Sequence, residues 1–350
     1  MVNVAWRIVE TIATQRGRGR AVGSLTVGSG PDSTAGGRTS PAPAQWTAEV
    51  EVSPRLAAEL IADQFPALGS SQVTLLAAGW DNTVMTVDGT WLFRFPRREV
   101  ALAGVRREIA LLPQLAPLLP LPVPDPRFAG RPSERYPWPF FGARLLPGIE
   151  LAESGLADAQ RGPVAAATGR FLRALGEPSV LALAIEADLP VDPMRRGNPA
   201  VRAGRARETL DRLAVAGVWT PDPAVDALLD EAARVPERGQ PADLVLVHGD
   251  LHVRHVLTGP DGAATGVIDW GDMCLADPAV DLSLAYFGFA GPARAEFLAA
   301  YGRPVGPERE LAARTCALSV GAALTEYAAD QGHAVLLRDC LAGLARVVAD

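Results

Sequence analysis

One stretch of the sequence, residues 244–281, limits most strongly what this chain can fold into. An apolar run, Leu244 to Val247, leads into a dense set of polar side chains: His248, Asp250, His252, Arg254 and His255. A second apolar stretch, containing an Asp-Gly pair typical of a tight turn, leads to Asp269 and Asp272. Two short β-like runs that each end in an aspartate place both carboxylates at the mouth of one site.

These acidic residues have the spacing that phosphoryl transfer requires. A kinase needs one acid to orient and deprotonate the attacking hydroxyl, a metal ligand a few residues later, and a second acid to hold Mg²⁺ on the triphosphate. Asp250 matches the first role, His255 the second and Asp269 the third. The order follows the protein-kinase pattern H-R-D-L-x-x-x-N and D-F-G, because HGDL at 248–251 is followed by DWG at 269–271.

The motifs HGDLH, IDWGD and ADPAVDL resemble those of the aminoglycoside phosphotransferase family of small-molecule kinases, a group that includes the macrolide phosphotransferases. The resemblance implies an α+β, protein-kinase-like bilobal fold, with a small β-rich N-lobe and a larger helical C-lobe. It also implies ATP as co-substrate and Mg²⁺ as cofactor. Most of the family has asparagine at the position of His255, and an imidazole is a less natural Mg²⁺ ligand than an oxygen.

Two residues are expected to support the catalytic loop. The resemblance implies that Asp281, the second aspartate of ADPAVDL, braces this loop, and that His248 supports it. Asp277, the first aspartate of that motif, is expected to cap a helix. Without the resemblance, both aspartates are equally typical of helix caps.

Arg94 is the candidate for holding the nucleotide phosphates. Alternation in the run from Trp91 to Pro96 puts Leu92 and Arg94 on one face of a strand, and a cation in an apolar strand needs a partner. The chain contains no lysine, so the resemblance puts Arg94 in place of the kinase lysine, on the α and β phosphates. A surface arginine on an edge strand is the alternative.

Two further residues complete the expected nucleotide site. Glu108, in the helix that follows from about Glu99 to Leu115, is the candidate partner that fixes Arg94, and Glu99 is the alternative. Gly79 lies in the loop between two predicted strands, where the resemblance places the cover over ATP. This loop lacks the glycine triad of protein kinases, and an ordinary hairpin turn is the alternative.

The sequence divides into three parts. Residues 1–45 are rich in Arg, Gly, Ser, Thr and Pro without apolar periodicity, and are expected to form a disordered N-terminal extension. Residues 46–146 are expected to form the nucleotide-binding N-lobe. Residues 147–350, which begin at a Pro-Gly pair, are expected to form the catalytic, acceptor-binding C-lobe, whose helices follow Ala- and Leu-rich segments.

Composition limits the partners and the location. The net charge is −7, with the acidic surplus in residues 151–350, which does not favour nucleic acid and suits a cationic substrate. No apolar run is long enough for a membrane span, and the N-terminus lacks a signal-peptide hydrophobic region. Three scattered cysteines do not form a disulfide framework, so a cytoplasmic protein is expected.

Several functions remain open from the sequence. The leading hypothesis is an ATP-dependent phosphotransferase acting on a hydroxyl of a small molecule, an aminoglycoside or a macrolide antibiotic. A housekeeping kinase of choline, homoserine or a sugar would use the same chemistry. A nucleotide-binding regulator without catalysis is a third hypothesis. A zinc site formed by His248, His252 and His255, in a metal-dependent hydrolase, is the fourth.

Overall fold

The structure is a computed structural model that describes residues 48–79, 81–236 and 243–349. The predicted N-terminal extension, residues 1–45, lies outside the described residues. Among the helices that are described, none is both long and apolar enough to cross a membrane.

The N-lobe is built on a five-stranded antiparallel sheet in the order β1-β2-β3-β5-β4. Its strands are β1 (Val73–Ala78), β2 (Asn82–Val87), β3 (Trp91–Pro96), β4 (Pro126–Gly130) and β5 (Phe140–Arg144). Asp88 and Gly89 join β2 to β3 with positive φ angles of 51° and 60°. Two left-handed residues match the twist of a tight hairpin, which is why an Asp-Gly pair predicts this turn.

Two helices flank this sheet. Helix α1 (Pro54–Gln64) begins at Ser53, whose Oγ accepts from the N–H of Leu56 at 3.2 Å, and it covers the face that carries Phe93 and Phe95. Helix α2 (Leu102–Leu115) follows a 3₁₀ turn at Glu99–Ala101. Pro113 lies inside α2, and the helix continues past it to Leu115.

The C-lobe is mainly helical. Its helices are α3 (Gly162–Leu175), α4 (Pro178–Glu186), α5 (Pro199–Val215), α6 (Pro223–Ala233), α7 (Ala279–Gly288), α8 (Gly291–Tyr301), α9 (Pro307–Asp330) and α10 (Ala334–Val348). The Ala- and Leu-rich sequence from Glu308 onward forms two helices, α9 and α10, separated at Gly332, where φ is +68°. All residues of α7 are buried, so it forms the centre of the lobe.

Two small sheets carry the motif segments of the C-lobe. Strand β7 (Val245–Val247) pairs with β10 (Cys274–Ala276), and β8 (Val256–Thr258) pairs with β6 (Ile149–Glu150) and β9 (Ala264–Val267). The α+β bilobal fold predicted from the sequence is therefore confirmed. We retain the lobe boundary after residue 146 as a proposal, because β5 belongs to the N-lobe sheet whereas β6 pairs with β8.

Helix α2 lies directly against the segment that carries the second acidic motif. Arg107 donates from Nη1 to the carbonyl oxygen of Met273 at 3.1 Å. A Cβ built on Gly104 would lie 2.7 Å from the carbonyl oxygen of Gly271, so only glycine permits this approach. The N-lobe helix and the acidic loop of the C-lobe are thus in backbone contact.

Gly104→Ala is expected to destabilise the protein by about 1 to 3 kcal/mol, since the added methyl group forces two backbones apart. Gly204→Ala, in the exposed part of α5 with nothing within 4 Å of its Cβ, should instead stabilise by about 0.5 to 1 kcal/mol. Urea unfolding of both variants measures the difference. Equal free energies of unfolding for the two variants would contradict the close contact.

Candidate active site

The loop that follows β7 is held by a buried histidine. Nε2 of His248 lies 2.9 Å from the carbonyl oxygen of Ile268, and its Nδ1 accepts from the N–H of Asp250 at 3.2 Å. These two partners assign the proton to Nε2. Burial and the neighbouring His255 lower the pKa of His248 to about 4, so the ring stays neutral at pH 7. His248 therefore ties the Asp250 backbone to the strand that leads to Asp269.

Asp281 holds the same loop from the opposite side. Its Oδ2 accepts from the N–H of His248 at 2.6 Å and its Oδ1 from the N–H of Gly249 at 3.1 Å. Gly249 has a φ of +86°, and a Cβ there would lie 2.2 Å from the carbonyl oxygen of Asp272. Asp277, by contrast, accepts from the N–H of Ala279 at the start of α7. Asp281 therefore braces the loop, whereas Asp277 caps α7.

Asp250 lies on this loop at the cleft between the lobes. Its Oδ1 is 3.2 Å from Nη2 of Arg196, and its Oδ2 is 3.6 Å from Nε2 of His252. Burial raises the pKa of Asp250, but His252 and Arg196 outweigh it and hold the pKa well below its usual range. Asp250 is therefore an ionised carboxylate that can accept a proton from a hydroxyl.

The rings of His252 and His255 pack against each other beside Asp250, with centroids 3.9 Å apart and planes tilted by 30°. Nδ1 of His255 lies 2.8 Å from the carbonyl oxygen of Asp250, which can only accept, so this nitrogen carries the proton. Nε2 of His255 then faces Oδ2 of Asp269 at 3.6 Å. Burial and the neighbouring His252 lower the pKa of His255.

The three histidines do not form the zinc triad considered from the sequence. Residues 248–255 are not helical, and both ring nitrogens of His248 are already bonded. The ligand atoms that do lie together, within 4.8 Å of one another, belong to Asp250, His252 and His255.

Arg94 connects the two lobes at the other side of His255. Its Nη1 donates to Oε1 of Glu108 at 2.9 Å, and its Nη2 donates to Oδ1 of Asp269 at 2.7 Å. The side chain of Glu108 is 1% exposed and that of Arg94 14%, whereas Asp269 is 47% exposed toward the cleft. Arg94 is thus paired with Glu108 and not with the alternative, Glu99.

Electrostatic interactions keep Arg94 and Asp269 charged. Burial lowers the pKa of Arg94, but Asp269 and Glu108 more than compensate and raise it above its ordinary value. Burial raises the pKa of Asp269, whereas Arg94 and His255 hold it below its usual range. Asn82, with its amide oxygen turned toward Arg94, accepts from Nε at 3.1 Å and from Nη2 at 2.9 Å.

Gly79 lies in the loop between β1 and β2. Its N–H donates to the carbonyl oxygen of Asn82 at 2.9 Å, and its carbonyl accepts from Nη1 of Arg97 at 3.0 Å. Asn82 also contacts Arg94, and it therefore links this loop to the candidate residue for phosphate binding.

Arg196, which the sequence did not predict, completes the site. This residue lies between α4 and α5, and its Nη2 bridges Asp250 and Oδ2 of Asp272, the latter at 2.7 Å. The carboxylate of Asp192 accepts from the backbone N–H groups of Arg196 and Gly197 at 2.7 and 2.8 Å. The segment has no motif or periodicity. The only signal was a pair of arginines before the Asn-Pro start of α5.

Together these side chains form a continuous row of contacts across the cleft. In order, the row is Glu108, Arg94, Asp269, His255, Asp250, Arg196 and Asp272. It joins residues that are up to 178 positions apart in the chain. Acids alternate with basic side chains, so the row can hold several phosphate oxygens and a divalent ion next to an ionised carboxylate.

This combination of a kinase-like fold and a charged cleft defines the class of small-molecule phosphotransferases. The family model described as "Phosphotransferase enzyme family" matches residues 72–314, well over half of the chain. The chain therefore belongs to the phosphotransferase enzyme family.

Solved structures have the same fold. The GDP and kanamycin complex of APH(2")-IIia superposes with a TM-score of 0.60 at 23% identity, covering 83% of this chain and 97% of that chain. The macrolide 2'-phosphotransferase MphH from Brachybacterium faecium, in its apoenzyme form, superposes with a TM-score of 0.52 at 25% identity, covering 82% and 97%.

A curated relative matches over a shorter segment. The uncharacterized protein YcbJ of Bacillus subtilis (strain 168) is 39% identical over 61 residues. This match covers 17% of this chain and 20% of YcbJ.

Asp281→Asn is expected to destabilise the protein by about 1 to 3 kcal/mol. An amide supplies one acceptor oxygen instead of two, so one buried backbone N–H loses its partner. Asp222→Asn is the matched control, because Asp222 caps α6 with a single acceptor at the N–H of Ala224 and asparagine caps equally well. Chemical denaturation compares the two, and an unchanged Asp281→Asn midpoint would contradict the bracing role.

Arg196→Met is expected to raise the pKa of Asp250, because it removes a cation 3.2 Å from Oδ1. The acidic limb of the pH profile of nucleotide turnover should therefore move to higher pH, by about one to three pH units. The control is Arg207→Met, which removes a surface pair with Asp230. An acidic limb that stays in place in Arg196→Met would mean that Arg196 does not set the charge of Asp250.

Proposed function

We propose that this protein transfers the γ-phosphoryl group of ATP to a hydroxyl of a small molecule, an aminoglycoside or macrolide antibiotic. The observation that carries the proposal is the single row of contacts in which Arg94, Asp269, His255 and Asp250 face one cleft. Family membership supports the reaction class. The antibiotic acceptors are suggested by the names of the structural neighbours, an aminoglycoside enzyme in complex with kanamycin and a macrolide enzyme.

Asp250 is the proposed catalytic residue. It accepts the proton of the acceptor hydroxyl while a bond forms between the hydroxyl oxygen and the γ-phosphorus. The bond between that phosphorus and the bridging oxygen breaks, and ADP leaves with the electron pair. Since Asp250 is ionised, it can hydrogen-bond the hydroxyl before transfer and orient it.

Arg94, Glu108 and Gly79 are proposed to bind ATP. Arg94 has a forked donor set that matches phosphate oxygens, and Glu108 fixes its orientation from a buried position. Gly79 lies in the loop that would cover the nucleotide. On binding, the contact between Arg94 and Asp269 would be shared with the α and β phosphates. The Arg94 to Glu108 pair takes the place of the lysine–glutamate ion pair of protein kinases.

His255 and Asp269 are proposed to hold Mg²⁺. Nε2 of His255 and Oδ2 of Asp269 each present a lone pair, and they face each other at 3.6 Å. Two lone pairs at this distance repel each other unless a cation lies between them. The two residues therefore fit a divalent ion. When bound, Mg²⁺ neutralises charge on the triphosphate. His248 and Asp281 are proposed to support the loop that carries these groups.

Asp250→Asn is expected to lower the rate of ADP release by about 10² to 10⁴, because the amide cannot accept the hydroxyl proton. The assay uses aminoglycosides, macrolides, choline, homoserine and sugars as acceptors, which separates antibiotic from housekeeping kinases. Asp226→Asn, at an exposed site on α6, is the control and should keep full turnover. Near-normal turnover by Asp250→Asn on the best acceptor would remove Asp250 from the mechanism.

A further inference from the structure

His255 is the nitrogen ligand of the proposed divalent-ion site. A backbone carbonyl determines which of its two ring nitrogens is free to bind the ion. The carbonyl oxygen of Asp250 fixes the proton of His255 on Nδ1, at 2.8 Å, which leaves the Nε2 lone pair unprotonated in the neutral ring. This is the arrangement in which a protein orients a metal-binding imidazole, since the ring nitrogen away from the metal donates to a fixed acceptor. His255 thus has the tautomer that a metal ligand requires.

The position of the imidazole ring is also fixed. His255 packs between His252 and His248, with ring centroids 3.9 and 5.7 Å away, and 13% of its side chain is exposed. On the other side, Oδ1 of Asp269 is occupied by Arg94 at 2.7 Å. Oδ2 of Asp269 is therefore the oxygen that faces Nε2. Two ligand atoms, Nε2 of His255 and Oδ2 of Asp269, therefore face each other, and neither side chain has to move to bind an ion.

The neighbouring group of Asp250, His252 and His255 is less suited to an ion. Nδ1 of His252 accepts from the N–H of Arg254 at 3.2 Å, so the neutral ring carries its proton on Nε2, toward Asp250. Nδ1 of His255, the nitrogen nearer Asp250, is protonated as well. Lone pairs therefore converge between His255 and Asp269, not around Asp250.

We propose that this site selects Mn²⁺ over Mg²⁺, because His255 contributes an imidazole nitrogen where an oxygen ligand would favour Mg²⁺. The inference rests on the proposed nucleotide site. Mg²⁺ is a hard ion that takes oxygen ligands and keeps its waters, whereas first-row transition ions accept imidazole readily. Mn²⁺ also accepts carboxylate and phosphate oxygens, which are the remaining ligands that Asp269 and a nucleotide offer.

The test measures ion binding without any acceptor or turnover. The full chain with ADP is titrated with MnCl₂ and, in competition, with MgCl₂, and free Mn²⁺ is counted by electron paramagnetic resonance. His255→Asn should lower the Mn²⁺ to Mg²⁺ affinity ratio by at least about tenfold, since it exchanges the nitrogen ligand for an oxygen. His333→Asn, a histidine stacked on Tyr327 outside the cleft, should keep the wild-type ratio.

A spectroscopic signature separates ligation from a structural effect. Electron spin-echo modulation of the bound Mn²⁺ should contain imidazole ¹⁴N couplings in the wild type and in His333→Asn. His255→Asn and His255→Gln should lose these couplings, with folding checked by circular dichroism. An unchanged affinity ratio, or couplings that persist in both His255 variants, would overturn the inference. Failure of ADP to bind would overturn the proposed nucleotide site itself, together with this inference.

Discussion

The guanidinium of Arg94 is the group on which the arrangement of this cleft depends. It is nearly buried in the N-lobe sheet, yet it bonds Glu108 on α2 and Asp269 in the C-lobe. A cation buried to this degree costs several kcal/mol of desolvation unless its partners are in place. The strand, the helix and the acidic loop are therefore positioned relative to one another by one side chain. The close contact between Gly104 and Gly271 serves the same alignment, since it brings α2 within reach of the loop.

The catalytic loop is held in another way: buried side chains accept hydrogen bonds from its backbone N–H groups. Asp281 takes the N–H groups of His248 and Gly249, and His248 takes the N–H of Asp250. Buried N–H groups need partners, and in this loop side chains supply them. Because α7 is entirely buried, Asp281 projects from the core of the C-lobe. The reacting carboxylate is thus fixed without lying in a helix or a strand.

Much of this site could be predicted from the sequence because its chemistry lies in contiguous motifs. Asp250, His255 and Asp269 have fixed spacings, and a cation within an apolar strand, Arg94, requires a partner. Arg196 could not be found in this way. It reaches Asp250 from a segment with no periodicity, 54 residues away in the chain, and its place is set by backbone bonds to Asp192. Such contacts arise from tertiary packing and leave no local pattern.

The low pKa of Asp250 is consistent with the proposed reaction, although a weak base accepts protons poorly. In phosphoryl transfer the transition state is loose, so the hydroxyl has lost little of its proton when the bond to phosphorus begins to form. The carboxylate then orients the hydroxyl first and takes its proton late, so a well-fixed position matters more than basicity. Arg196 and His252 lower the basicity of Asp250, but they hold its two oxygens in place. The neighbouring Arg196 and His252 thus lower the proton affinity of Asp250 while they fix the position of its carboxylate.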